Sequence, residues 1–194
     1  MTAQGHNVDT VGHHKHLAPE RLRWAIVTVS DSRTEADDDS GRLLVERLEA
    51  MGHDVLEHLV VPDDMEEIRG TVEMLSRDPE VDGIITNGGT GASARDVTIE
   101  ALDALVGKVL PGFGELFRMF SYESIGTAAY LGRARAATLP APDAVKILYQ
   151  LPGSPDACEL AITELILPEA GHFFSQANRG TDLSERWSDD EEEP

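Results

Sequence analysis

The sequence predicts an α/β protein, a single-domain three-layer sandwich with a mostly parallel central sheet. Three observations carry that reading. Apolar runs of strand length alternate with segments of helical periodicity. Three such strand–helix units follow one another, which implies parallel strands with right-handed crossovers and helices on both faces. Each apolar run ends in polar or glycine-rich turn chemistry.

The first run, "RWAIVTVS" (23–30), is continuous and rich in β-branched residues, as a strand buried on both faces should be. "SGRLLVERLEAMG" (40–52) follows as a helix with Ser40 as a plausible N-cap. Leu43, Leu44, Arg47, Leu48 and Met51 trace one face, and Gly52 is the stop. "HDVLEHLVVP" (53–62) is the second strand. "DDMEEIRGTVEMLSR" (63–77) is the second helix, its acidic first turn complementing the helix dipole. "VDGIITNGG" (81–89) and "DVTIEALDALVG" (96–107) form the third unit.

The second half is less regular. "PGFGELFRMFSYESIGTAAYLG" (111–132) reads as a helix broken at Gly126, with Phe117, Phe120 and Tyr122 partly in the core. "ARAATLPAP" (134–142) and "VKILYQLPG" (145–153) read as a short strand pair or as a strand and a turn. "PDACELAITELILPEAGHFFSQ" (155–176) reads as a closing helix with Pro155 in its first turn. Residues 1–20 are expected to be a flexible His-rich arm, 21–178 the folded domain and 179–194 an acidic tail. His13, His14 and His16 suit a metal, but such a tract in a polar arm is more often incidental.

Composition bounds the function. Asp and Glu number 36 against 16 Lys and Arg, a formal net charge of -20, and such a field repels nucleic acid and anionic membranes. The lysines are Lys15, Lys108 and Lys146. Acid excess with so few lysines fits a halophilic, acidic surface adapted to concentrated salt. The alternative is that the "SDDEEEP" tail inflates the count, yet "TEADDDS", "PDDMEE" and "RDPEVD" spread acid through the domain. A single cysteine, Cys158, excludes an internal disulfide and a multi-cysteine zinc site. No stretch approaches the ~20 apolar residues of a membrane span, and the N-terminus lacks the apolar core of a secretory signal. The expected location is cytoplasmic.

In open parallel sheets, ligands sit beyond the carboxyl ends of the strands. Three stretches finish strands here and supply polar groups: "VSDSR" (29–33), "VPDD" (61–64) and "TNGGTG" (86–91). Without a Cβ, Gly88, Gly89 and Gly91 permit unusual dihedrals and let amides approach an anion closely. A helix beginning near Asp96 would add positive potential, so the stretch describes a phosphate cradle. Asp96 would repel a phosphate unless it caps that helix or holds a cation. Alone, the glycine run is as compatible with a tight turn, since it lacks both GxxxxGK[ST] and a full GxGxxG.

The combination is more specific. "TVSDSRTEADDDSG", "VVPDD", "TNGGTGASARDVTIEAL", "PGFGELFRMFSYESIGTAA" and "LPGSPDAC" occur in this order. Together they closely resemble the MoaB/MogA family of molybdenum-cofactor biosynthesis proteins, which includes the gephyrin G domain. The resemblance covers about residues 22–165. It implies a molybdopterin-binding fold and an adenylyltransferase, in which ATP and Mg²⁺ activate molybdopterin to adenylyl-molybdopterin and pyrophosphate before metal insertion.

Carried over residue by residue, the resemblance makes Asp96 the essential aspartate after the glycine loop, holding Mg²⁺ or orienting the attacking phosphate. Asp63 is a second functional aspartate and Mg²⁺ candidate, with Asp64 the competing position and helix capping the other role. Gly88, Gly89, Thr90 and Gly91 would contact phosphate. Ser30, Asp31 and Ser32 match the turn after the first strand. Glu115 would pair with the donors of a pterin ring, or be a solvated helix residue. Gly153 and Ser154 lie in a turn resembling a pterin-phosphate turn. Arg95 either neutralises phosphate charge or forms a surface pair. Family members that lack the Arg-Asp-Val-Thr segment resemble an inactive branch; residues 95–98 keep it. The resemblance also implies a homo-oligomer, trimer or hexamer, and a molybdenum-insertase partner. Two other readings stand beside the enzyme. One is a non-catalytic carrier that hands molybdopterin to an insertase; the other is a flavodoxin-like nucleotide or flavin binder, which a colourless protein would remove.

Overall fold

A computed structural model of the chain describes residues 18–183. The expected histidine arm therefore lies almost wholly outside the described residues, as does most of the expected acidic tail.

Six strands form one sheet in the order β2-β1-β3-β6-β5-β4. They are β1 (Arg23–Val29), β2 (Asp54–Val61), β3 (Gly83–Asn87), β4 (Val109–Leu110), β5 (Arg135–Leu139) and β6 (Lys146–Leu151). β1, β2, β3 and β6 run parallel, whereas β5 pairs antiparallel with β6 and β4 antiparallel with β5. The second-half strand pair is thus β5 and β6: β6 joins the parallel core, and β5 with β4 forms an antiparallel edge, as expected of a mostly parallel architecture.

Period-two alternation splits the core into two layers. Ile26, Ile85, Ile147 and Tyr149 face one way. They pack against α1 (Asp39–Ala50), α4 (Pro111–Ile125), α5 (Pro155–Ala161) and α6 (Ala170–Ala177), through Leu44, Leu48, Phe117, Cys158 and Phe174. Ala25, Val27, Ile84 and Leu148 face the other way. They pack against α2 (Met65–Ser76) and α3 (Thr98–Leu102) through Ile68, Val72, Leu75, Ala101 and Leu102. Each of these buried aliphatic side chains contributes about 1.5–3 kcal/mol. β1, β3 and β6 are buried almost throughout, which is why their apolar runs are continuous rather than alternating.

Four local expectations are corrected. The N-cap of α1 is Asp38, whose Oδ1 accepts from Gly41 N at 3.0 Å, not Ser40, whose hydroxyl instead reaches Gly153 O at 2.8 Å. The helix expected over 96–107 is a single turn, Thr98–Leu102. It ends in a tight turn where Leu105 N and Val106 N both donate to Leu102 O. The closing helix breaks into α5, a π-turn over Ile162–Ile166 and α6. Leu167 N reaches back five residues to Ile162 O, and Pro168 has no amide to continue a helical ladder. Tyr122 is solvent-facing rather than partly core, at 59% exposure. The break at Gly126 stands where the sequence predicts it, with φ +61°.

Candidate active site

Because β1, β3 and β6 are parallel, their carboxyl ends deliver three loops to one sheet edge. There they enclose a cleft of about 480 Å³. Ser30, Ser32 and Arg33 come from the loop after β1, and Gly88, Gly89, Thr90, Gly91 and Asp96 from the loop after β3. Pro152, Gly153 and Ser154 come from the loop after β6, with Gly132 beside them. Most of the residues picked out by sequence thus meet in one place.

The glycine loop is built for close approach. Gly88 and Gly89 have φ of +104° and +62°, which side chains rarely adopt. A Cβ on Gly88 would also collide with Val29 O, and one on Gly153 would stand 3.1 Å from Gly88 Cα. Gly88 N is taken by Leu151 O, while the amides of Gly89, Thr90 and Gly91 have no protein acceptor among the described residues. Thr98 stitches the loop's base, its amide donating to Gly89 O at 3.0 Å and its hydroxyl to Gly88 O at 2.9 Å. The cradle is therefore one of loop amides. The helix contribution expected from α3 reduces to one turn whose first amide is already bonded within the loop.

Asp96 precedes α3 by two residues and does not cap it. Its Oδ2 accepts from Ser93 N at 2.8 Å, and a Cβ on Gly91 would lie 2.8 Å from the same oxygen, so the carboxylate sits against the glycine loop. The two aspartates after β2 differ in what they do locally. Asp64 is the N-cap of α2, its Oδ1 accepting from Glu66 N at 2.9 Å and Glu67 N at 3.1 Å. Asp63 carries no capping duty, and its carboxylate flanks Gly89. Burial holds the Asp63 carboxyl above the usual carboxylate range, and the neighbouring charges of Asp31 and Asp96 push the same way.

Asp31 and Arg95 lie just outside the cleft. Arg95 pairs with Asp31 Oδ2, and Asp63 N donates to Asp31 Oδ1 at 3.0 Å. The Arg95 hydrogen bond and that amide together hold the Asp31 carboxyl below its ordinary value. Arg95 is thus an ion-pair partner rather than a cleft cation. Glu115 is exposed on α4 and is not among the residues lining the cleft. Ser30 organises its turn by accepting from Ser32 N and Arg33 N, both at 3.3 Å. Ser154 caps α5, its Oγ accepting from Ala157 N.

Several residues here were missed by sequence reasoning. Arg33 lines the cleft, its Nη1 donating to Gly153 O at 3.1 Å and Ser40 Oγ at 3.3 Å. Asp38 is wholly buried beneath it. It accepts from Thr28 Oγ1 at 2.5 Å and Gly41 N, and it lies 2.8 Å from His58 Nε2. Burial alone would raise the Asp38 carboxyl, but those hydrogen bonds outweigh it and leave the pKa below the ordinary value. Arg133 staples the glycine loop, donating to Thr90 O and Asp96 O, each at 3.0 Å, while pairing with Glu100. Arg33 stood inside the quoted "VSDSR", but its neighbours in space come from other loops, and Arg133 is remote in sequence. Cys158 is buried, its thiol pushed up to about 12, and takes no part in the cleft. No helix among the described residues is long and apolar enough to cross a membrane.

An open α/β sheet with a glycine loop and acidic side chains at its carboxyl edge defines a domain of the ligand-binding kind. A family model described as "probable molybdopterin binding domain" matches residues 25–172. The chain belongs to that family, the MoaB/MogA proteins of molybdenum cofactor biosynthesis. It is 47% identical over 171 residues to molybdenum cofactor biosynthesis protein B of Bacillus cereus, spanning 88% of this chain and 99% of that protein. It is 39% identical over 174 residues to the probable molybdopterin adenylyltransferase of Methanocaldococcus jannaschii, spanning 86% and 99%. Among solved structures, the tungsten cofactor synthesizing protein MoaB from Pyrococcus furiosus superposes with a TM-score of 0.75 at 34% identity. That match covers 84% of this chain and all of that one.

Proposed function

We propose that the chain is a molybdopterin adenylyltransferase. The observation that carries this reading is the placement of two carboxylates that cap no helix, Asp63 beside Gly89 and Asp96 beside Gly91, against a cleft-lining loop whose Gly89, Thr90 and Gly91 amides have no protein acceptor among the described residues. The M. jannaschii relative, named for this activity, supports it.

In the proposed reaction the terminal phosphate of molybdopterin attacks the α-phosphorus of ATP. A P–O bond forms as the bond to the β-phosphate breaks, and pyrophosphate leaves with its electron pair. The difficulty is bringing two anions together, which calls for positioning and charge neutralisation. The amides of Gly89, Thr90 and Gly91 donate to phosphate oxygens, and Ser30, Ser32 and Ser154 add hydroxyls at the rim. Arg133 fixes the loop so that these donors need no reorganisation.

The residues also fit Mg²⁺. Asp63 is held above the usual carboxylate range by burial and by the charges of Asp31 and Asp96, which Arg95 offsets only in part, and a cation would relieve that repulsion. Mg²⁺ is commonly held by one or two carboxylates together with substrate phosphates and waters. Asp63 and Asp96 would hold it. Bound there, Mg²⁺ would supply charge neutralisation on the phosphates.

The test is pyrophosphate release from molybdopterin, ATP and Mg²⁺ at high salt. Wild type is expected to turn over, and Asp96→Ala to lose turnover while retaining most pterin binding. Undiminished turnover in Asp96→Ala removes that residue from the mechanism, and tight pterin binding without wild-type turnover selects the carrier reading. We further place the chain in a homo-oligomer in the cytoplasm, passing its product to a molybdenum insertase.

A further inference from the structure

We propose that Arg33 is the cleft's phosphate receptor, taking a phosphate group of the substrate on the side fork of its guanidinium. This assignment rests on the reading of the cleft as a site for phosphate-bearing substrates.

Arg33 is the one cation among the described residues lining the cleft, and Asp96 is the one anion. The other guanidinium groups nearby are committed. Arg95 is paired with Asp31 outside the cleft, and Arg133 spends its three nitrogens on Thr90 O, Asp96 O and Glu100. Arg33 is different. Every hydrogen bond it donates from its side chain leaves through Nη1, to Gly153 O and to Ser40 Oγ. Nε and Nη2, which together form the side fork that matches two phosphate oxygens, have no protein partner among the described residues.

The bonded edge is also rigidly built. Ser40 Oγ donates to the same Gly153 O at 2.8 Å, so one carbonyl gathers both side chains. Asp38 Oδ1 stands 3.7 Å from Arg33 Nη1, and Asp38 is in turn fixed by Thr28, Gly41 and His58. A guanidinium pre-oriented on one edge and open on the other loses little side-chain entropy when an anion arrives. In a chain of formal net charge -20, an incoming phosphate otherwise meets an unfavourable field, so a placed cation is where its binding should concentrate.

The phosphate in question belongs either to the nucleotide or to the pterin, and titration calorimetry on the full chain separates them. The probes are ATP with Mg²⁺ and hydroxymethylpterin phosphate, each against its unphosphorylated parent, adenosine or hydroxymethylpterin. Arg33→Gln is expected to weaken one phosphorylated probe about 10- to 100-fold, the loss of a charged hydrogen-bonded pair, and to leave both parents within about twofold. The probe affected identifies the source. Arg33→Lys should recover part of the loss, because it restores charge without the fork. Arg77→Gln, a change at the exposed far end of α2, should match wild type.

Wild-type affinity of Arg33→Gln for both phosphorylated probes overturns the assignment alone. Equal weakening of the parents also overturns it, by showing a structural role. Failure of wild type to bind either phosphorylated probe overturns the assignment together with the reading beneath it.

Discussion

A Cβ on Gly89 would stand 2.9 Å from the Oδ1 of Asp63 and would collide with the hydroxyl of Thr98, so the glycine loop and the second aspartate are locked in register. The loop's backbone makes the same demand, since Gly89 has φ +62°. Gly89→Ala is therefore expected to lose about 1–3 kcal/mol of stability and to displace the Asp63 carboxylate. Denaturant unfolding measures the first effect. Pyrophosphate release should fall at least as far as in Asp63→Ala.

Asp63 is expected to trade stability for function. Its folded-state pKa is raised, chiefly by burial and next by Asp31. A carboxyl raised on folding binds its proton more tightly in the native state. Its contribution is therefore fully present below the ordinary value of 3.8 and lost as pH rises through the elevated one. At neutral pH the ionised group is a cost. Asp63→Asn should thus gain up to about 0.5 kcal/mol at pH ~7, with the gain vanishing towards pH ~4, while turnover collapses. Thermal melts across pH, with and without Mg²⁺, check the sign. Added Mg²⁺ should stabilise wild type and not the variant.

Asp38 has the opposite sign. Burial disfavours its charge, yet the hydrogen bonds from Thr28, Gly41 and His58 win and depress its pKa. Such a group stabilises above the ordinary carboxylate value, and that contribution is lost as pH falls through the depressed one. Asp38→Ala should cost about 3 kcal/mol at neutral pH, because it uncaps α1 and strands the partners of a buried charge. Wild type should lose stability more steeply than Asp38→Asn below pH ~4, as followed by circular dichroism.

Fold and site were unevenly legible in the sequence, for physical reasons. Continuous apolar runs identified β1, β3 and β6 because strands buried on both faces leave no ambiguity of period, whereas β2, at the sheet edge, is only partly buried and was read from its apolar ends. The two-residue β4 carries no periodic signal, and α3 stops after one turn where the pattern extends further. At the site, glycines and aspartates adjacent to strand ends could be read, since topology alone brings strand ends together. Arg33 and Arg133 could not, because their roles depend on Gly153, 120 residues away, and on Thr90, 43 residues away. The choice between Asp63 and Asp64 needed the cap geometry of α2, which adjacent identical residues do not reveal.

The acidic surface makes a prediction about solvent. With 36 acidic against 16 basic residues, self-repulsion opposes folding, and screening shortens from about 10 Å at ~0.1 M salt to about 3 Å at ~1 M. The melting temperature is expected to rise by about 5 °C or more over that range of KCl, roughly 1–2 kcal/mol for a chain of this size. A flat or falling melting curve would assign the acid to local functions instead.

Self-association is expected at α4. Leu116, Met119, Tyr122 and Ile125 recur at three-residue intervals along that helix and are each between 45% and 59% exposed. Tyr130, at 74%, and Leu131 continue the surface in the turn beyond Gly126. Large apolar side chains gathered on one segment of an otherwise acidic chain mark an interaction face rather than scattered exposure. A second copy is the expected occupant, because homo-oligomers reuse one surface on every subunit. Sedimentation or light scattering should give a trimer or hexamer for wild type. The double change Ile125→Asp and Tyr130→Asp should give a monomer with unchanged far-ultraviolet circular dichroism, since neither side chain packs in the core. A wild type that sediments as a monomer at high salt would remove the assembly, leaving the patch to another protein.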